Sequence, residues 1–220
     1  MDSETPHDLV AVELVPRPVL HGAQGDQAER GVFYFGQPIT CPLDLETAPE
    51  HIRAYAAERQ SQVEFRQLVM HLSLSPKPGE PIRNVLMTVK TVPADCTGDL
   101  LLRDASPQRL TKAVTRHSAL TVKADFGVLN PEASHGSQYE REDPFLVACG
   151  IDTTSVQWEF RKTTGQDLDG SHQLKATVEL PVGVTGSFRL SASVSIRRKR
   201  LGVIGYDALL PEDRSVVPCR

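Results

Sequence analysis

The sequence lacks the long apolar segments and the cysteine spacing by which several protein classes are recognised. No run approaches the roughly 18 apolar residues that a membrane-spanning helix needs, and the first residues are acidic, without the apolar core of a signal peptide. The four cysteines are far apart, and none belongs to a CxxC pair or to a Cys/His pair at zinc-site spacing. We therefore expect a cytoplasmic protein with free thiols and no membrane segment.

Aromatic residues and net charge are also low. Aromatic residues make up 5% of the 220 residues and Trp158 is the only tryptophan, so the core must consist mainly of Val, Leu and Ala. The formal net charge of −4 gives no general attraction to nucleic acid or to anionic lipid. The chain does contain 16 prolines and 15 glycines, which is typical of many short strands joined by turns.

The clearest pattern in the chain is an alternation of apolar and polar residues between Val156 and Leu210. Apolar residues occupy every second position over residues 174–180 and again over residues 188–196. A period of two places each set on one face of a strand. We therefore predict a half-buried β-hairpin here, at the centre of a sheet, with Trp158 packed in the core beneath it.

Other predicted strands indicate the fold class. They lie at residues 9–15, 63–74, 85–89 and 120–128, with a continuous apolar run at 145–151. Along 63–74 the apolar residues change parity after Phe65, which indicates a bulge or a strand that is buried on both sides. Thr47 and Glu50 have the spacing of a capping box, which predicts a helix near residues 48–60, and Ser106-Pro107 can open a second, short helix. Eight to ten short strands with one or two short helices predict a mainly β protein, an antiparallel β-sandwich of two sheets.

The same reading predicts one main domain. We expect a flexible N-terminus over residues 1–8, a single β-sandwich domain over residues 9–211 and a C-terminal tail over residues 212–220. Strand–turn–strand segments recur at residues 72–92 and 178–196. They indicate either chance similarity of turns or two similar hairpin-containing halves, which would be residues 9–129 and 144–211.

The most concentrated charge is a run of four cations between two predicted strands: Arg197, Arg198, Lys199 and Arg200. Such a run can be a solvated turn that guards a strand edge, a contact for an acidic protein partner, or a contact for nucleic-acid phosphates. Aromatic residues for base stacking are not interleaved with it, which argues against single-stranded nucleic acid. The patch would be larger if three further cations share its face, namely Arg161, Lys162 and Arg189.

A polar stretch from Asn130 to Pro144 is predicted to be an exposed loop. A histidine with several carboxylates can bind a divalent metal or supply general acid–base groups, although a solvated acidic loop is the simpler interpretation. The residues concerned are Glu132, His135, Tyr139, Glu142 and Asp143.

Recognised catalytic and cofactor motifs do not occur. The sequence contains no Gly-x-Ser-x-Gly, no phosphate loop and no GxGxxG, and the adjacent Ser171 and His172 would point to opposite faces of a strand. We predict a non-enzymatic interaction or structural module without a cofactor, which binds a protein partner or forms a homo-oligomer. A hydrolase or metal-dependent enzyme using residues 130–144 is the alternative, and nucleic-acid contact through Arg197–Arg200 ranks third.

Overall fold

The computed structural model describes residues 8–17, 27–59, 62–94, 99–117, 138–164, 166–199 and 201–219, and for residues 112–117 and 138–143 it describes the backbone. Within these ranges the chain forms fourteen strands and two helices. In chain order they are β1 (Val10–Ala11), β2 (Glu13–Pro16), β3 (Phe33–Phe35), β4 (Ile39–Pro42), α1 (Glu50–Arg59), β5 (Val63–Leu74), β6 (Ile82–Pro93), β7 (Leu101–Ser106), β8 (Arg109–His117), β9 (Gln138–Cys149), β10 (Ser155–Arg161), β11 (Gly170–Pro181), β12 (Gly186–Arg198), β13 (Gly202–Leu209), α2 (Glu212–Ser215) and β14 (Val216–Cys219).

The strands form two antiparallel sheets, which confirms the predicted fold class. The six-stranded sheet has the order β1-β3-β5-β11-β7, with β4 also paired to β5. The eight-stranded sheet has the order β2-β13-β12-β6-β10-β9-β8, with β14 also paired to β12. One cluster of buried apolar side chains includes residues of both sheets, and Val156, Trp158 and Phe160 of β10 are fully buried in it. The core position predicted for Trp158 is therefore confirmed.

The predicted hairpin of β11 and β12 is wrong, because the two strands belong to different sheets. β11 pairs with β5 and β7, whereas β12 pairs with β6, β13 and β14. Each strand turns one apolar face to the core, so the alternating pattern arises from two strands that face each other across it. The apolar side chains of Leu174 and Phe188 thus enter the core from its two sides.

The earlier strand–turn–strand segment crosses between the sheets in the same way. β5 lies in the six-stranded sheet and β6 in the eight-stranded sheet, and they pair with β11 and β12 respectively. Neither half of the chain therefore contains the hairpin expected there. The two places where the chain passes from one sheet to the other are therefore neighbours in space. A duplication of the two halves stays a prediction.

The change of parity along β5 comes from coverage on both faces. Leu68 and the alternate residues that follow it are buried in the core, while Phe65 lies on the outer face. The ring of Phe65 packs edge-on against Tyr55 of α1, with ring centroids 6.2 Å apart. The pairing of β5 with β11 has no register shift, so α1, rather than a bulge, explains the pattern.

The predicted helix is present as α1, but its capping box is not. The Thr47 hydroxyl donates to the backbone carbonyl of Asp44 at 3.3 Å instead of accepting from the helix. The first turn closes on the carbonyl of Pro49, which accepts from the amides of Ile52 and Arg53. The second predicted helix is also wrong, because Ser106 ends β7 and the chain then turns into β8.

The C-terminal residues are part of the sandwich and do not form the predicted tail. They form α2 and β14, and β14 pairs with β12. Arg214 of α2 is buried, and its Nη1 donates to the carbonyl oxygens of Asp8 and Phe35, each at 2.7 Å. Of the predicted flexible residues 1–8, all but Asp8 lie outside the described residues, as does the predicted strand at 120–128.

Three cysteines have free thiols, as expected. Cys41 is half-buried, Cys149 is exposed and Cys219 is buried. Cys96 lies outside the described residues. The thiols therefore differ in their access to solvent, which makes them useful probes of the fold.

Candidate functional site

The basic run lies at the turn that joins β12 to β13. Arg197 and Arg198 end β12, Lys199 and Leu201 lie in the turn, and Arg200 is outside the described residues. We call the described residues 197–203 the basic tip.

Arg198 is withdrawn from solvent and is held by groups of the same chain. Its Nη1 and Nη2 donate to the carboxylates of Glu80 and Glu29, and its Nε lies 3.2 Å from the Tyr206 hydroxyl. Its side chain is 13% exposed, and that of Glu29 is 5% exposed. Burial lowers the pKa of Arg198, but the hydrogen bonds to Tyr206, Glu29 and Glu80 outweigh this effect and raise it. Arg198 therefore supports the tip and does not project from it.

The other described residues of the tip face solvent. Arg197 and Lys199 are exposed, and Leu201 and Val203 are among the most exposed large apolar residues, at 57% and 59%. Because successive side chains of a strand point to opposite faces, Arg198 points inward while Arg197 and Lys199 point outward. The tip thus presents cations together with apolar side chains.

Contacts with the neighbouring turn hold the tip in place. The Arg197 amide donates to the carbonyl of Pro81 at 3.0 Å. Gly79 has a φ of +77°, and a Cβ built there would lie 2.6 Å from Cε of Lys199. The stem of Lys199 therefore lies against the backbone of the turn, and the positive φ of Gly79 favours glycine at this position.

The three cations that could extend the patch do not all lie near the basic tip. Arg161 pairs with Asn84 of β6, and Asn84 pairs on its other side with Ser195 of β12, so Arg161 lies near the basic tip. Arg189 pairs in register with Lys90 near the other end of β12. Lys162 forms an ion pair with Asp167.

A second candidate site, which the sequence reasoning missed, lies where β7 passes beneath α1. Leu102 pairs with Val178 and Asp104 pairs with Thr177, so Arg103 is an extra residue in β7. This β-bulge re-aims the side chains: Leu102 is buried in the core, whereas Arg103 and Asp104 both contact groups on the outer face.

Arg103 is the centre of a polar network on that face. Its Nε donates to Glu179, its Nη1 to Asp152 at 2.8 Å and its Nη2 to the Tyr55 hydroxyl at 3.0 Å. The Tyr55 hydroxyl also lies 3.2 Å from Glu179 Oε2, and the Glu179 side chain is only 8% exposed. A charge this buried is tolerated because it is paired and hydrogen-bonded.

The network lines a cleft of about 320 Å³ between α1, β7 and the turn that follows β9. The apolar walls are Ile52 and Ile151, and the polar lining is His51, Tyr55, Arg103 and Asp152. His51 Nε2 lies 4.0 Å from Asp104 Oδ1. We call this the α1 cleft. Its sequence signal is weak, because its charged residues come from four separate segments of the chain.

The predicted 130–144 loop lies only partly within the described residues. Residues 138–144 belong to β9 and so are strand, which corrects the prediction of a loop for that part. Asp143, Glu142 and Tyr139 pair in register with Lys112, Ala113 and Arg116 of β8. Glu132 and His135 lie outside the described residues.

No three His, Cys, Asp or Glu residues among those that the structure describes are grouped to hold a metal ion. No helix in the described ranges is long and apolar enough to cross a membrane. Neither a protein-family model nor a curated protein matches the sequence.

Proposed function

We propose that the protein is a cytoplasmic, non-enzymatic interaction module that contacts an acidic protein partner through the basic tip. The observation that supports this most is the division of the basic run. Arg198 is used inside the protein, while Arg197, Lys199, Leu201 and Val203 project together from one turn.

The composition of the tip favours a protein over nucleic acid. Exposed apolar side chains next to cations suit a partner whose contact surface has apolar groups surrounded by carboxylates. Phosphate recognition would use the cations but not Leu201 and Val203. With Arg198 withdrawn, two of the described cations of the run remain to contact phosphates.

The rigidity of the tip supports the same proposal. The bonds of Arg198 to Glu29, Glu80 and Tyr206, and the backbone bond from Arg197 to Pro81, tie the tip to neighbouring parts of the protein. A surface that is already ordered loses less conformational entropy when a partner binds.

The test compares two charge-reversed variants of the same strand. R197E/K199E alters the tip, and R189E alters an exposed cation near the other end of β12. Each purified full chain is used to capture proteins from a lysate of the native host, and captured proteins are then purified and titrated separately. We expect an acidic partner that binds wild type and R189E, and binds R197E/K199E at least tenfold more weakly, since each lost charge contact removes about 1 kcal/mol.

The other outcomes are equally clear. A partner that binds all three chains equally removes the tip from the proposal. Sedimentation velocity of each variant tests whether the partner is a second copy. Binding of nucleic acid that weakens steeply with salt and is lost in R197E/K199E would replace the protein partner.

A further inference from the structure

We propose that Lys90 and Arg189 bind the phosphate group of a phosphorylated protein partner. Both residues lie on the outer face of the eight-stranded sheet, and we call them the cation pair. Arg189 precedes Arg197 along β12 by a distance of about 26 Å at the rise of a strand. The site is separate from the basic tip, and the inference does not depend on the function proposed for the tip.

The two cations lie directly opposite each other on neighbouring strands. Lys90 of β6 pairs in register with Arg189 of β12, and both are exposed, whereas the adjacent Val89 and Leu190 are buried in the core. Residues opposite each other in this way have Cβ atoms about 5 Å apart, and like charges placed there destabilise a sheet. Among the registers of the described strands, this is the one place where two like charges are directly opposite.

The nearest residues on the same face do not compensate this repulsion. On its other side Arg189 pairs with Val216 of β14, and Lys90 pairs with Ser155 of β10. The residues two positions along β6 and β12 are also uncharged, namely Thr88, Val92, Ser187 and Ser191. In the part of the chain that the structure describes, neither side chain of the cation pair has a hydrogen bond or an ion pair.

Other exposed arginines of the same sheet are paired. Arg17 forms an ion pair with Asp207 at 2.6 Å, and Arg161 forms one with Glu159. The cation pair thus differs from its surroundings in having two positive charges together and no carboxylate beside them. A bound anion would remove the repulsion between them, whereas a cation would increase it.

The number of charges favours phosphate over a carboxylate. A phosphate monoester carries a charge of about −1.5 to −2 at pH 7 and three acceptor oxygens, so it balances two cations, whereas one carboxylate balances only one. The guanidinium of Arg189 offers a planar fork of donors that fits phosphate, and Lys90 adds a point charge. The hydroxyl of Ser155, which is paired in register with Lys90, is a further donor.

The surroundings of the pair favour a phosphate that is attached to a protein. An open sheet face contacts a small ion from one side only, so a free phosphate gains little beyond the two charges. Val216, directly beside Arg189, is 46% exposed. A peptide with an apolar residue next to its phosphoserine or phosphothreonine would cover this side chain and gain affinity from its burial.

The test is an NMR titration of the full chain with a short peptide that has a central phosphoserine between two valines. The same peptide without phosphate and inorganic phosphate are the reference ligands. K90Q/R189Q removes the charges of the pair, and R197Q/K199Q is the matched control, because it removes two exposed cations from the same sheet. We expect saturable shifts at residues 88–92 and 187–191, roughly tenfold weaker binding in K90Q/R189Q, and no change in R197Q/K199Q.

A thermal measurement tests the repulsion itself. Because the two charges repel, K90Q should melt at the same temperature as wild type or higher. The phosphopeptide should raise the melting temperature of wild type and leave that of K90Q/R189Q unchanged. If K90Q/R189Q does not fold, K90Q alone must weaken peptide binding several-fold.

Four results would overturn the proposal. They are an absence of saturable shifts, equal binding of the peptide without phosphate, equal weakening in K90Q/R189Q and R197Q/K199Q, and binding of inorganic phosphate as tight as that of the phosphopeptide. The last result would assign the pair to a free ion and not to a protein partner.

Discussion

The indole nitrogen of Trp158 donates a hydrogen bond of 3.2 Å to the carbonyl oxygen of Pro107. Pro107 lies in the turn where the chain passes from β7 of one sheet to β8 of the other, so this bond fixes the crossing to the core. The two residues are 51 positions apart in the sequence.

The first prediction concerns this bond. Because Trp158 is fully buried, we expect blue-shifted fluorescence that acrylamide quenches poorly. W158F removes the donor and leaves the carbonyl of Pro107 without it, which should lower the free energy of unfolding by about 2 kcal/mol. Urea unfolding followed by circular dichroism measures the change. Emission typical of water-exposed indole would contradict the burial.

The second prediction compares neighbouring arginines of the basic tip. R198M leaves the buried carboxylate of Glu29 with less compensation and should lower the free energy of unfolding by about 3 kcal/mol. R197M changes an exposed side chain and should alter it by less than about 0.5 kcal/mol. Urea unfolding of both variants tests the difference, and E29Q/R198M should recover part of the loss. Equal effects of R197M and R198M would show that Arg198 is not held as described.

The third prediction concerns the attachment of α1. Y55F keeps the ring packed on Phe65 but removes the hydroxyl that contacts Glu179 and Arg103. We expect a loss of about 1 to 2 kcal/mol, with faster amide exchange in α1 than in β11. Y34F, at a half-buried tyrosine of β3, serves as the control. Unchanged exchange in α1 would mean that the hydroxyl does not anchor the helix.

The fourth prediction uses the thiols. At neutral pH the exposed Cys149 should react quickly with iodoacetamide, whereas Cys219 should react only on unfolding. Site-resolved mass spectrometry follows each residue separately. Rapid labelling of Cys219 in the native protein would contradict its burial.

Burial also raises the pKa of Cys219 to about 11 from its ordinary value of 9.0, which gives a pH dependence. Above pH 9 the unfolded chain ionises this thiol and the folded chain does not, so the free energy of unfolding should fall as pH rises from 9 towards 11. The loss attributable to Cys219 is roughly 2 kcal/mol over this range. C219A should show a shallower slope, and equal slopes would refute the shift.

The sequence predicts which side chains face the core better than it predicts which strands pair. Alternation at residues 174–180 and 188–196 marks the apolar, core-facing side of each strand, and these apolar side chains are buried in the structure. The same alternation suits two strands of one hairpin or two strands in facing sheets. Only the long-range pairings with β5 and β6 decide between them.

The candidate sites depend on the same kind of long-range information. Arg198 belongs to a basic run, but the carboxylates that hold it lie 118 and 169 residues away. Arg103 reaches the outer face because β7 has a bulge opposite β11, which is visible only once the strands are paired. The basic tip could therefore be found in the sequence, whereas its internal arginine and the α1 cleft could not.

The hydrogen bond from Arg214 to the carbonyl of Phe35 spans 179 residues and has a consequence for synthesis. A growing chain has made β1 and β3 long before Arg214 emerges from the ribosome. β5 soon follows and pairs with β3, but β5 lacks β11 on its other side and the Phe35 carbonyl lacks its Arg214 donor until the later part of the chain is made, so a strand edge is exposed to other nascent chains. We expect folding to follow translation of this segment, and a chaperone that covers strand edges to raise the yield of folded protein.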